Sequence, residues 1–111
     1  MTALNFCEHL LLRGHNISRI FFSGEGVLNG NGLCVPPQDE INIPKAWSEL
    51  AKAHQIELIL CVASALKLGI INEGEAKRYD KAHHNLQTGF EISGLGQLVE
   101  ACLTSDRVVK F

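Results

Sequence analysis

Long apolar runs are missing from this sequence of 111 residues. None approaches the roughly 20 consecutive residues that a membrane-spanning helix requires, so no bilayer-crossing segment is expected. The N-terminus also lacks the basic, then apolar, then small-residue order of a secretory signal, because Asn5, Glu8, His9 and Arg13 interrupt it; a cytoplasmic location is expected. An excess of charge of one sign is missing as well. Ten basic residues face twelve acidic ones, a formal net charge of -2, with no cluster of Lys and Arg. Phosphate neutralisation needs a concentrated basic surface, so direct nucleic-acid binding is not expected. Paired cysteines are absent too. Cys7, Cys34, Cys61 and Cys102 are widely spaced and form no C-x-x-C pair, so neither a zinc ribbon nor a dithiol redox motif is signalled. Four free thiols are expected in a reducing compartment. The glycine-rich "GEGVLN" has neither the third Gly of a dinucleotide fingerprint nor the Lys-Ser/Thr of a P-loop, which excludes nucleotide binding. Adjacent His83 and His84 would point in different directions on a helix, and neither has an acidic or cysteine residue three or four positions after it, so a shared metal is not expected. They read as solvated surface or as a patch facing a partner.

What remains is the composition of one modest globular domain, residues 1–111, with 46% apolar and 20% charged residues. Ala3, Leu4, Cys7, Leu10 and Leu11 recur at helical spacing and Gly14 stands where a C-cap would fall, predicting a helix over 2–13. "ISRIFFS", Ile17 to Ser23, reads as a buried strand, and the Gly-, Asn- and Pro-rich stretch from Gly24 to Asn42 as a long loop. Pro44 suits the first turn of a helix with Trp47, Leu50, Ala51 and His54 on one face. A polar helix from Glu73 to about His83, a short strand from Phe90 to Ser93, a helix carrying Leu95, Leu98, Val99 and Cys102, and a closing strand "RVVKF" complete the pattern. Strands alternating with helices predict a three-layer α/β/α sandwich with a mostly parallel sheet.

The segment "ELILCVASALKLG", Glu57 to Gly69, changes character at its cysteine. Ile56, Leu58, Ile59 and Leu60 form a strand-like apolar run, whereas Ala63, Ala65, Leu66 and Lys67 are helix formers ending at Gly69. Cys61 therefore stands at the carboxyl end of a strand, where ligands and reactive groups gather in open parallel sheets. A helix N-terminus favours thiolate there, the nucleophilic form of cysteine. Free cysteine is also a good small hydrophobe, so a packing role competes with a chemical one. Cys7 and Cys102, on the apolar stripes of their helices, are expected in the core. Cys34 in the long loop is either an exposed spare thiol or a redox partner for Cys61. "SGLG", Ser93 to Gly96, suits the tight start of a helix, as a plain cap or as an anion site.

"FFSGEGVLN" (Phe21 to Asn29), "LCVASALKLGI" (Leu60 to Ile70) and "NLQTGFEISGLGQLVEACLTSDRVVKF" (Asn85 to Phe111) together resemble the DsrE family, most of all its members that serve as the sulfurtransferase subunit of a three-subunit assembly. The resemblance runs over nearly the whole chain, and its closing string is the most specific part. It implies a five-stranded parallel sheet ordered 4-3-2-1-5. It implies a heterohexamer with TusB- and TusC-like subunits. It implies that Cys61 is the catalytic residue, carrying sulfur as a persulfide from a TusA-like donor to a TusE-like acceptor in tRNA 2-thiouridine synthesis. With a DsrC-like acceptor, the same step serves dissimilatory sulfur oxidation. No metal or organic cofactor is implied. Gly26 and Asn29 are expected to shape the loop without reacting. A non-catalytic assembly subunit is the rival reading. Family members begin with a strand and a short loop before the helix matching 2–13, so the expectation is an N-terminally truncated domain lacking that first strand.

Overall fold

The structure, a computed structural model, describes residues 2–109. Helix α1 (Thr2–Leu12) leads into strand β1 (Arg19–Phe22), and a 3-10 helix follows at Gly24–Gly30. Helix α2 (Ile43–His54), strand β2 (Glu57–Cys61), helices α3 (Val62–Lys67) and α4 (Glu73–Arg78), strand β3 (Phe90–Ser93) and helix α5 (Leu95–Thr104) complete it. The three strands are parallel and lie in chain order, with Phe22 beside Leu60 and Leu60 beside Ile92. Both crossovers step across the sheet in the same direction, and α2 and α3 contribute to one buried cluster, so they share a face of the sheet, as the usual right-handed connection requires.

Strand alternation divides the side chains between the faces. Phe22, Leu58, Leu60 and Phe90 turn to the face where Leu4 and Cys7 of α1, Trp47 and Ala51 of α2, and Ala65 of α3 complete one buried cluster. Trp47 is fully buried and meets Phe22 edge-on at 5.3 Å between ring centres, with Phe90 5.6 Å from Phe22 on the other side. Each such fully buried side chain contributes about 1.5–3 kcal/mol through removal of apolar surface from water. Arg19, Phe21 and Ile59 turn to the opposite face. There Arg19 pairs with Glu57 beside it and reaches Gln97 O and the Glu100 carboxylate of α5, each at 3.4 Å. Helices thus lie on both faces of the parallel sheet, as the alternating pattern predicts.

Local signals explain most boundaries. Asn42 caps α2 by accepting from the Lys45 N–H at 3.2 Å, Pro44 occupies its first turn, and Gln55 ends it in the left-handed conformation at φ 57°. Three expectations are corrected. The stretch from Gly24 is not open loop throughout: its first seven residues form the 3-10 helix, in which the Asn29 amide donates to Gly26 O at 2.7 Å. The polar helix stops at Arg78, five residues before His83. Asp80 adopts φ 56° and the Lys81 N–H closes on Ala76 O at 2.8 Å, a left-handed helix ending that leaves His83 and His84 exposed in coil. Residues 107–109 are not a strand, and Val108 and Val109 are exposed. Among the described residues they pair with none of the three strands of the sheet. Lys110 and Phe111 of the expected closing strand lie outside the described residues.

Candidate functional site

Cys61 is both the last residue of β2 and the N-cap of α3, and its strand neighbour across the sheet is Ser93 of β3. The sequence folds this way locally because Leu58, Ile59 and Leu60, all essentially without solvent exposure, fix the strand, while Ala65, fully buried one turn later, fixes the helix. Cys61 itself is half-buried. Its side chain makes no regular capping bond, yet its environment favours thiolate. The Ser64 backbone N–H, the Ser64 hydroxyl and the Ala63 N–H together pull the thiol below its ordinary value of 9.0, and the Ser64 N–H contributes most; partial burial opposes them with less effect.

The other three thiols differ. Cys7 is buried in the core, where burial first and the Glu8 charge second push its pKa up. Cys34 is exposed, its N–H bound to Asn31 O at 3.2 Å. Cys102 is exposed, which corrects the expectation of core packing: none of the residues of α5 is buried, because its apolar positions Leu95, Val99 and Leu103 face away from the sheet. No group of His, Cys, Asp or Glu among the described residues is arranged to hold a metal ion. No helix among them is long and apolar enough to cross a membrane.

The 3-10 helix is docked beside α3. The Gly24 N–H donates to the Ser64 hydroxyl at 3.0 Å, and Gly30 lies so close to Leu60 that a Cβ there would come within 2.6 Å of Leu60 Cδ1. The Trp47 indole N–H donates to Asn29 Oδ1 at 3.1 Å, so Asn29 shapes this segment, as expected of it. Asn85 closes the arrangement. Its carbonyl accepts from the Ile71 N–H at 2.9 Å, and its amide donates to Gly69 O at 3.0 Å and Asn31 Oδ1 at 3.2 Å. The stretch expected to be a long loop is therefore pinned through Gly32, and beyond it Leu33, Val35 and Ile41 are exposed.

Sequence reading found Cys61 and missed Ser64 and Asn85. Ser64 had a local signal, a hydroxyl three residues after a candidate N-cap; Asn85, isolated in coil, had none. Gly94 caps α5 without a side-chain bond, so "SGLG" supplies a turn and no side-chain cap. Two concavities, of about 180 and 350 Å³, lie between α1 and α2 and share Glu8 and Leu50 in their walls. Neither borders Cys61.

Known proteins resemble the chain along its length. "Sulfurtransferase TusD homolog" of Vibrio vulnificus is 47% identical over 110 residues, covering 99% of this chain and 84% of the relative. The protein of the same description from Aliivibrio fischeri is 50% identical over 109 residues, covering 98% and 84%. "Sulfurtransferase TusD" of Serratia proteamaculans is 48% identical over 110 residues, covering 99% and 85%. The DsrE/DsrF-like family signature matches residues 1–111. A match that spans the chain end to end, with relatives at about half identity sharing nearly all of it, agrees with the parallel sheet and its interlayer helices: the chain belongs to the DsrE/DsrF-like family.

Proposed function

We propose that this chain is a sulfurtransferase subunit and that Cys61 carries the sulfur. The observation that supports this most is a half-buried thiol at the strand-to-helix joint whose surroundings favour thiolate. The relatives' description as TusD sulfurtransferases points the same way. Cys61 thiolate attacks the outer sulfur of a donor persulfide. A new S–S bond forms at Cys61 as the donor's S–S bond breaks, and the donor leaves as thiolate. An acceptor thiolate then attacks the outer sulfur held on Cys61, reversing the bond change and restoring the Cys61 thiolate. Neither step consumes an oxidant or a reductant. A half-buried sulfur, away from the concavities between α1 and α2, suits a partner that presents its own cysteine.

In this reading the donor is TusA-like, the acceptor TusE-like, the assembly contains TusB- and TusC-like subunits, and the sulfur ends in tRNA 2-thiouridine. Incubation with a persulfide donor should add one sulfur, detected by intact mass and localised to the Cys61 peptide, and Cys61→Ser should add none there. Equal loading of Cys61→Ser, or no loading of the assembled complex, would overturn the carrier role. The exposed Leu95, Val99 and Leu103 favour a second reading, an assembly subunit without chemistry. Under that reading Cys61→Ser leaves sulfur flow through the complex unchanged.

A further inference from the structure

The Ser64 hydroxyl occupies a defined place between two elements. Its oxygen accepts the Gly24 N–H at 3.0 Å, across 40 residues of sequence, and it stands three residues after Cys61 in the first turn of α3. A hydroxyl has one proton to give and two lone pairs to receive with. With one lone pair engaged by Gly24, its proton remains available for another acceptor. Gly24 holds φ 56°, a left-handed conformation that glycine adopts without strain.

We propose that Ser64 is a positioning residue for Cys61: its hydroxyl, anchored by the Gly24 N–H, donates its proton to the Cys61 sulfur and ties the reactive state of that sulfur to the placement of the 3-10 helix. The inference rests on the reading of Cys61 as the sulfur carrier, and it concerns how the thiolate is held. It agrees with the Ser64 hydroxyl being one of the groups that lower the Cys61 pKa. A serine inside a helix has one competing use for its proton, the carbonyl four residues earlier, here that of Leu60. The two arrangements differ in what the sulfur feels.

The test is the pH profile of Cys61 alkylation by iodoacetamide, read on the Cys61 peptide by mass spectrometry so that Cys34 and Cys102 do not interfere. Wild type, Ser64→Ala and Ser64→Thr are compared, with thermal melts confirming that each is folded. A charge-assisted hydrogen bond of this kind corresponds to about one pKa unit or more, so Ser64→Ala should move the midpoint to higher pH and slow alkylation at neutral pH roughly tenfold. Ser64→Thr, which keeps the hydroxyl, should restore the wild-type midpoint. A Ser64→Ala profile that overlays wild type would overturn the proposal. So would a folded Ser64→Thr that behaves like Ser64→Ala. Persulfide loading of wild type is measured in parallel. Failure to load with a Ser64-dependent alkylation profile would overturn the carrier reading alone, whereas normal loading with a profile indifferent to Ser64 would overturn the positioning role alone.

Discussion

At the scale of single residues, the buried thiol of Cys7 and the half-buried thiol of Cys61 have opposite linkage to pH. Burial holds Cys7 above its ordinary 9.0, so the unfolded chain loses this proton at lower pH than the folded chain. Its contribution to stability is intact below about pH 9.0 and falls as pH rises from there toward the folded value. Cys61 is held below 9.0, so its contribution is present above that value and is lost as pH falls through the folded pKa. Cys7→Ala should therefore flatten the alkaline loss of stability, and Cys61→Ser should steepen it, both read from thermal melts across the alkaline range. Cys61 was legible in the sequence because the switch from apolar strand to helix formers happens at that residue. The partner that holds Ser64 was not, since Gly24 is distant in the chain and only the folded sheet brings them together. Cys102 misled for a different reason: an apolar stripe marks a face that wants cover, and spacing alone does not say whether this chain supplies the cover.

At the scale of elements, the turns around the site are held by close approaches that only small residues allow. A Cβ on Gly30 would meet Leu60, whose side chain is fully buried and has no free space to swing into. Gly30→Ala should cost about 1–3 kcal/mol in denaturant unfolding, and less in a Leu60→Val background, giving a measurable coupling in a double-mutant cycle. Gly32→Ala would put a Cβ 2.9 Å from the Asn85 backbone oxygen, the same atom that accepts the Gly32 N–H. Asn85→Ala, which removes three hydrogen bonds joining Asn31, Gly69 and Ile71, should cost about 1–3 kcal/mol and raise hydrogen exchange at the Ile71 amide first. Strand β3 and the central strand were readable from β-branched and aromatic runs with turn residues at their ends. The 3-10 helix was not readable, because its glycines and asparagines carry the composition of a loop and its order comes from Trp47, Ser64 and Leu60, which lie outside it.

At the scale of the whole molecule, the Cα radius of gyration of 14.2 Å compares with about 13 Å for a compact chain of this length, and the extents of 44 × 39 × 21 Å describe a slab. Its two faces are unequally covered: α1, α2 and α3 share one continuous cluster, while α5 lies on the other face with no buried residue. Leu103 is 81% exposed, so Leu103→Lys should leave the melting temperature essentially unchanged, within about 0.5 kcal/mol, while lowering turbidity in concentrated solution. The alternation of strands and helices was enough to foresee the layers, but which layer is thin depends on the direction of each crossover, which no local pattern encodes.

Arg19 joins Glu57 to Glu100 and the Gln97 carbonyl, and so moors α5 to the sheet largely by charge. A mooring of this kind answers to ionic strength where an oily seam would not. Raising salt should free the amides of α5 to exchange while those of the central strand stay protected. The last helix would then slip its berth long before the hull goes down.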